Sequence, residues 1–147
     1  MRLVLLGTGS ADGLPNPWCD CPTCLDQLPR GRRSPTSALV DGRLLLDSGP
    51  EAPGQAVRLG HSLAEVRVVA IGHAHHDHCD PAFTLYRAWV ASGPLTVVGP
   101  PPVMAQLRPW LDDAGLDIDL RPVSAGEVVE VAGYRLTALA ANHHAFG

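Results

Sequence analysis

Lysine is missing from this chain of 147 residues: all eleven basic residues are arginine, which by itself decides nothing about chemistry. Aromatic residues make up only 5%, charged residues 18%, and the formal net charge is −4. A chain of that sign offers no electrostatic footprint for nucleic acid, so nucleic acid is not an expected partner. Long apolar runs are absent as well. The opening Met1 to Leu6 breaks at Gly7, too soon for a signal peptide, and no stretch approaches membrane-spanning length, so no membrane partner is expected. No internal repeat or linker is visible, and the 15 glycines and 14 prolines are dispersed as turn signals. Hydrophobic content of 46% excludes wholesale disorder, and the length suits one domain, 1–147, with a real core.

Histidine, in contrast, is concentrated in one place. Four of the seven histidines fall in His73-Ala74-His75-His76-Asp77-His78, with a carboxylate among them. The segment follows Val66 to Ile71, an apolar run with the look of a buried parallel strand. A strand ending in imidazoles and a carboxylate puts metal-ligand chemistry at its C-terminal lip, where open α/β sheets bind ligands. Two readings compete: a solvated histidine-rich loop, or a metal site. Alternation along an extended strand end projects His73 and His75 to one side, so the two can chelate one ion. Asp77 and His78 follow after the turn and suit a second ion nearby. His76 reads as an exposed spacer.

Three of the four cysteines gather in Cys19-Asp20-Cys21-Pro22-Thr23-Cys24. Three thiols so close in a Pro-rich loop suit tetrahedral zinc better than a disulfide, whose geometry adjacent cysteines strain to meet. A structural zinc site wants four ligands, and the fourth is not evident locally. Cys79 reads as a small buried residue. Thiols held for zinc also point to a reducing compartment, so the expected localisation is cytoplasmic.

The coarse layout is strand-rich first and alternating later. Leu3 to Leu6 reads as a strand. Ser37 to Val40 and Leu44 to Asp47 flank Asp41-Gly42, a hairpin signal. Glu51 to Leu59 reads as a weak helix and Val66 to Ile71 as a strand. Pro81 to Ala91 reads as a helix with Asp80 as N-cap and Pro81 at its first position. Leu95 to Val98 is expected as a strand and Pro102 to Ala114 as a helix ended by Gly115. Ile118 to Val123 reads as a further strand. A final hairpin turns at Ala132-Gly133, between Val128 to Val131 and Tyr134 to Ala140. The Arg30 to Arg33 cluster reads as a solvated loop.

His-x-His-x-Asp-His after a buried strand resembles the metallo-β-lactamase superfamily of binuclear metal hydrolases. Leu5-Leu6-Gly7-Thr8-Gly9-Ser10 resembles the family's opening strand and glycine turn. Leu44 to Gly49 resembles its strand ending in Asp-x-Gly, and Ala141-Asn142-His143 its next metal histidine. The cysteine knot after Gly7 to Pro15 is similar to the phosphodiesterase branch, that of the carbon–phosphorus lyase pathway. The resemblance implies an α/β chain of the αββα sandwich fold, covering its N-terminal half to two-thirds and truncated at the C-terminus. Relatives in that superfamily, the pyrroloquinoline quinone biosynthesis protein B and tRNase Z, are alternatives.

The resemblance further implies that His73, His75 and His143 hold one ion and Asp77 with His78 the other. Asp77, as catalytic residue, would orient a bridging hydroxide. The expected cofactors are two divalent ions, zinc or manganese, plus one structural zinc at Cys19, Cys21 and Cys24. Two ions roughly 3.5 to 4 Å apart can share a hydroxide and bind phosphoryl oxygens. The expected substrate is therefore a small phosphodiester. His144 is taken as a solvent-facing neighbour. A later bridging aspartate and final histidine are missing from the sequence, so this chain alone is expected to have little hydrolase activity. The apolar strands near Leu44 to Leu46 and Val66 to Ile71 are expected to keep one sheet face partly uncovered, which makes a homodimer a further expectation. The alternative class is a non-catalytic metal-binding fragment or interaction module.

Overall fold

A computed structural model describes residues 1–90, 93–112 and 117–143. Its centre is a six-stranded mixed sheet in the order β1-β2-β3-β4-β5-β6. The strands are β1 (Leu3–Gly7), β2 (Ser37–Val40), β3 (Leu44–Leu46), β4 (Val68–Ala70), β5 (Leu95–Gly99) and β6 (Ile118–Pro122). β1, β2 and β3 pair antiparallel, and β3 through β6 run parallel. Three α-helices, α2 (Ala52–Arg58), α3 (Ala82–Ala88) and α4 (Pro101–Asp112), pack on one face. On the other lies the hairpin of β7 (Val128–Val131) and β8 (Tyr134–Thr137).

Alternation along the strands decides which face each residue serves. Leu39, Leu45, Val69 and Val97 join Ala56, Phe83, Val103 and Leu107 in the helix-side core. Val40, Leu44, Val68 and Val98 join Val131, with Val129, Tyr134 and Leu136, in the hairpin-side core. β3, β4 and β5 are therefore buried on both faces, as an unbroken apolar run requires, whereas β6 at the edge is mostly exposed. The uncovered face expected at Leu44 to Leu46 and Val66 to Ile71 is thus corrected: the hairpin covers it. Burying one such Val or Leu contributes about 1.5–3 kcal/mol. The hairpin is tied down by the Tyr134 hydroxyl, which donates to the Val40 carbonyl at 3.4 Å. The covering is partial at the sheet edge, where Leu3 and Leu5 of β1 are more than half exposed.

The turn at Asp41-Gly42 has positive φ at both residues, 51° and 70°, and three residues, Asp41 to Arg43, join the antiparallel pair β2 and β3. β4 is three residues long, shorter than the apolar run, because parallel pairing to β3 and β5 ends at Ala70. Helix α3 begins one residue later than the sequence suggested, with Pro81 as cap. Asp80 still serves the helix start: its Oδ1 accepts the Ala82 N–H at 3.1 Å. The expected ends of this helix at Ala91 and of α4 at Ala114-Gly115 lie outside the described residues.

Two local features depart from the sequence reading. The cysteine segment runs into a short helix, α1 (Pro22–Gln27), followed by a 3₁₀ turn at Leu28–Arg30. Pro22 at its first position was the available signal. Arg32 is not merely solvated: its guanidinium pairs with Glu51 and donates to the Asp12 carbonyl at 3.2 Å. That contact anchors the loop beside the glycine turn to α2.

Gly49 and Cys79 each support a prediction. A Cβ on Gly49 would overlap the backbone carbonyl of Asp77, so no side chain fits there. Gly49→Ala should destabilise the fold by about 3 kcal/mol, measured by urea unfolding. An unchanged midpoint would refute the close approach. Cys79 is fully buried, and burial, with smaller contributions from Asp80 and Asp47, pushes its thiol up to about 12. Burial penalises the thiolate, so at pH 8 roughly one molecule in ten thousand carries it. Iodoacetamide should spare Cys79 in the native protein at pH 8 and label it after denaturation. Rapid native labelling there would contradict the placement.

Candidate metal centre

Asp47 ends β3 in left-handed backbone, φ 57°, a conformation aspartate tolerates better than most residues. The turn aims its carboxylate at the loop that follows β4. Oδ1 accepts the Gly72 N–H at 2.8 Å, and Oδ2 lies 2.7 Å from His78 Nδ1. The backbone continues the stitching: Asp47 N–H donates to the Ala70 carbonyl, Ser48 N–H to the His78 carbonyl, and Asp80 N–H to the Ser48 carbonyl. From below, the Gln106 amide of α4 donates to the Cys79 carbonyl at 3.0 Å. A loop so held can present several side chains at fixed separations.

Those side chains converge. His73 Nε2 and His75 Nδ1 are 2.9 Å apart, and His143 Nε2 is 3.1 Å from the same His75 nitrogen. One nitrogen from each of the three rings lies within 4.8 Å of the other two. His143 comes from the segment after β8 and reaches back across 68 positions. The His78 ring sits 4.3 Å from His73, centroid to centroid, and its Nε2 is 3.1 Å from Asp77 Oδ2. Thus Asp77 and His78 form a pair immediately beside the three-histidine cluster. His76 is exposed. His144 lies outside the described residues.

The donor set fits a divalent ion. Imidazole and carboxylate suit zinc and manganese alike. Burial, followed by the neighbouring His78, His75 and His143, lowers the pKa of His73. That keeps its ring neutral, the state in which imidazole ligates. Asp47 supplies the complementary device for His78: a carboxylate on Nδ1 leaves Nε2 facing Asp77 and fixes the ring's orientation. Asp47 was not singled out from the sequence as a site residue, although it opens the Asp-x-Gly segment. Its role depends on a left-handed turn, which residue spacing does not announce.

Cys19, Cys21 and Cys24 form the second cluster, their sulfurs within 4.8 Å of one another. Cys21 is exposed and Cys24 buried. The Cys24 backbone N–H, then the thiols of Cys19 and Cys24, lower the pKa of Cys21. Three soft donors within six residues fit zinc. Among the described residues, no fourth His, Cys, Asp or Glu joins this group.

A family model described as "Beta-lactamase superfamily domain" matches residues 42–146. The chain is 33% identical over 82 residues to an octanoyltransferase of Porphyromonas gingivalis, a match covering 53% of this chain and 16% of that protein. Among solved structures it is similar to a diphosphatase from the PhnP family, with 24% identity and a TM-score of 0.69 over 90% of this chain and 54% of that one. Human tRNase Z, short form, gives 19% identity and a TM-score of 0.57, over 85% of this chain and 45% of that one. The metallo-beta-lactamase fold protein YhfI of Bacillus subtilis gives 15% and 0.61, over 92% and 50%. The fold is the metallo-β-lactamase fold, and the chain spans about half the length of these structures.

The geometry separates the candidate ligands His73, His75 and His143 from Asp47, the carboxylate on His78. His75→Ala should lower bound metal outright, whereas Asp47→Asn should retain the His73, His75 and His143 ion. Asp47→Asn should weaken only the second ion, by about 10–100-fold. Metal titration followed by elemental analysis reads both. Equal losses in the two variants would overturn the separation.

Proposed function

Because this chain belongs to the beta-lactamase superfamily, we propose that its protein is a metal-dependent hydrolase acting on small phosphodiesters. The observation that carries this reading is the convergence of three imidazole nitrogens with an Asp77–His78 pair at the C-terminal lip of a parallel sheet. His73, His75 and His143 would hold one divalent ion, and Asp77 with His78 would contribute to a second. Such ions, when bound, polarise phosphoryl oxygens and acidify water.

The chain's own residues divide the remaining work. Asp77, with a side chain only 14% exposed, would orient a water molecule and accept its proton. Asp47 keeps His78 turned toward Asp77. Gly49 allows the motif backbone to come close enough for that contact. The likeness to a diphosphatase favours hydrolysis at phosphorus over the alternatives. The net charge of −4 weighs against an RNA substrate, the tRNase Z alternative. Acyl transfer is not carried over from the octanoyltransferase, since the matched stretch is 16% of that protein. Among the described residues no helix is long and apolar enough to cross a membrane.

A second reading is a metal-binding segment that does not catalyse by itself. It is favoured by one observation: Asp77 and His78 belong to no group of three or more donors among the described residues. On this reading the half-exposed Leu3 and Leu5 face would be covered by a second copy of the chain, a homodimer.

Turnover of bis-p-nitrophenyl phosphate, with manganese or zinc titrated into the metal-free protein, separates the readings. The hydrolase reading expects metal-dependent turnover that falls at least about 100-fold in Asp77→Asn. Metal binding at His73, His75 and His143 without any turnover would favour the second reading. Turnover indifferent to metal would defeat the first.

A further inference from the structure

The cysteine loop has a feature that metal ligation does not require. Cys21 is the N-cap of α1, with extended backbone (φ −63°, ψ 156°), and Cys24 lies one helical turn further on. The Leu25 N–H donates to the Cys21 carbonyl at 3.0 Å and closes that turn. Helical geometry puts Cα atoms three residues apart at about 5 Å, inside the span that a disulfide bridges. The sulfurs themselves lie within 4.8 Å. Their accessibility differs: Cys21 is exposed, whereas Cys24 is only 6% exposed. An outside reagent can reach the first sulfur, and the second is reached by its neighbour. That is how attacking and resolving cysteines divide their work.

Cys19 is the competitor, since it is also exposed and its sulfur also lies within 4.8 Å of the other two. It stands outside the helix, with its N–H donated to the Asn16 carbonyl in a separate turn. A bond to Cys21 would have to close a ring containing a single intervening residue, which strains disulfide geometry. The fully buried Cys79 belongs to the core under the histidine loop and takes no part.

We propose that Cys21 and Cys24 form a reversible dithiol–disulfide pair that exchanges with low-molecular-weight disulfides such as oxidised glutathione. The pair rests on the arrangement of the two sulfurs and not on the zinc reading of the loop. Cys21 sulfur attacks one glutathione sulfur, forming a mixed disulfide and releasing one glutathione thiolate. Cys24, giving its proton to solvent, then attacks the Cys21 sulfur and releases the second glutathione. The two cysteines lose two electrons, and oxidised glutathione gains them as two molecules of glutathione. Zinc held by the same sulfurs would slow the first attack, and completed oxidation would leave the ion without two of its ligands.

The test incubates the metal-free protein with oxidised glutathione and maps the products by differential alkylation and mass spectrometry. Free thiols are capped before reduction, and released thiols are capped with a heavier reagent afterwards. The expected map puts the heavy label on Cys21 and Cys24 and the light label on Cys19 and, once denatured, Cys79. Dithiothreitol should return all four to the thiol. Cys24→Ser should stop at a stable glutathione adduct on Cys21, and Cys19→Ser should still form the internal bond. A disulfide that includes Cys19, or a lasting glutathione adduct in the unmutated protein, would overturn the proposal. A parallel zinc-loaded arm should oxidise at least tenfold more slowly while a chromogenic chelator reports the released ion. Equal rates in both arms would defeat the zinc reading alone, leaving the disulfide assignment to the map.

Discussion

Asp47 holds both ends of one loop with one carboxylate. Its Oδ1 accepts the first N–H of the histidine loop, at Gly72, and its Oδ2 fixes the ring of the last histidine, His78. The loop between these points contains every candidate ligand of the six-residue motif. Backbone bonds from Asp47, Ser48 and Asp80 run parallel to this contact and link the end of β3 to the end of the loop. Neighbouring hydrogen bonds of this kind polarise and reinforce one another in a half-buried setting. The left-handed backbone at Asp47 is a cost localised where the site is assembled, a pattern expected at functional positions.

The layers explain why the site lies where it does. Parallel strands β3 and β4 end side by side, so the turns after them emerge on the same lip of the sheet. Buried on both faces, these strands cannot shift register without moving Leu44, Leu45, Val68 and Val69 out of their cores. The hairpin of β7 and β8 covers the face opposite the helices, and its outgoing chain delivers His143 beside His73 and His75. The third histidine of the cluster thus depends on apolar packing of Val129, Val131, Tyr134 and Leu136, none of which touches the ligand set directly in sequence. Packing and ligation are coupled through that one chain segment.

The two donor clusters differ in chemistry and in support. The histidine centre is borderline in softness, half-buried and braced from β3, α4 and β8. The cysteine cluster is soft, sits partly at the surface, and is organised by the first turn of α1 and the short turn before it. A locally organised, exposed cluster is the one open to outside reagents, whereas a braced half-buried cluster is suited to holding ions against a substrate.

Much of this protein was legible in one dimension because its signals are local. The apolar run into His73, the Asp41-Gly42 turn and the Ala132-Gly133 turn each act within a few residues, and the structure forms elements at each. The proximity of His73 to His75 was expected from strand-end alternation and is observed, but β4 ends at Ala70, so the loop and not the strand sets it. Residue spacing could not reveal Asp47 as the partner of His78, because 31 positions separate them and a left-handed turn aims the carboxylate. Nor could it measure the approach of Gly49 to Asp77, or place Arg32 against Glu51. His143 came into view through a resemblance, and its distance from His75 is set by how the hairpin docks on the sheet. Residue chemistry and short-range periodicity are properties of the chain. Which distant carboxylate meets which imidazole is decided by the packing of layers, where many weak apolar contacts fix positions that no single residue encodes.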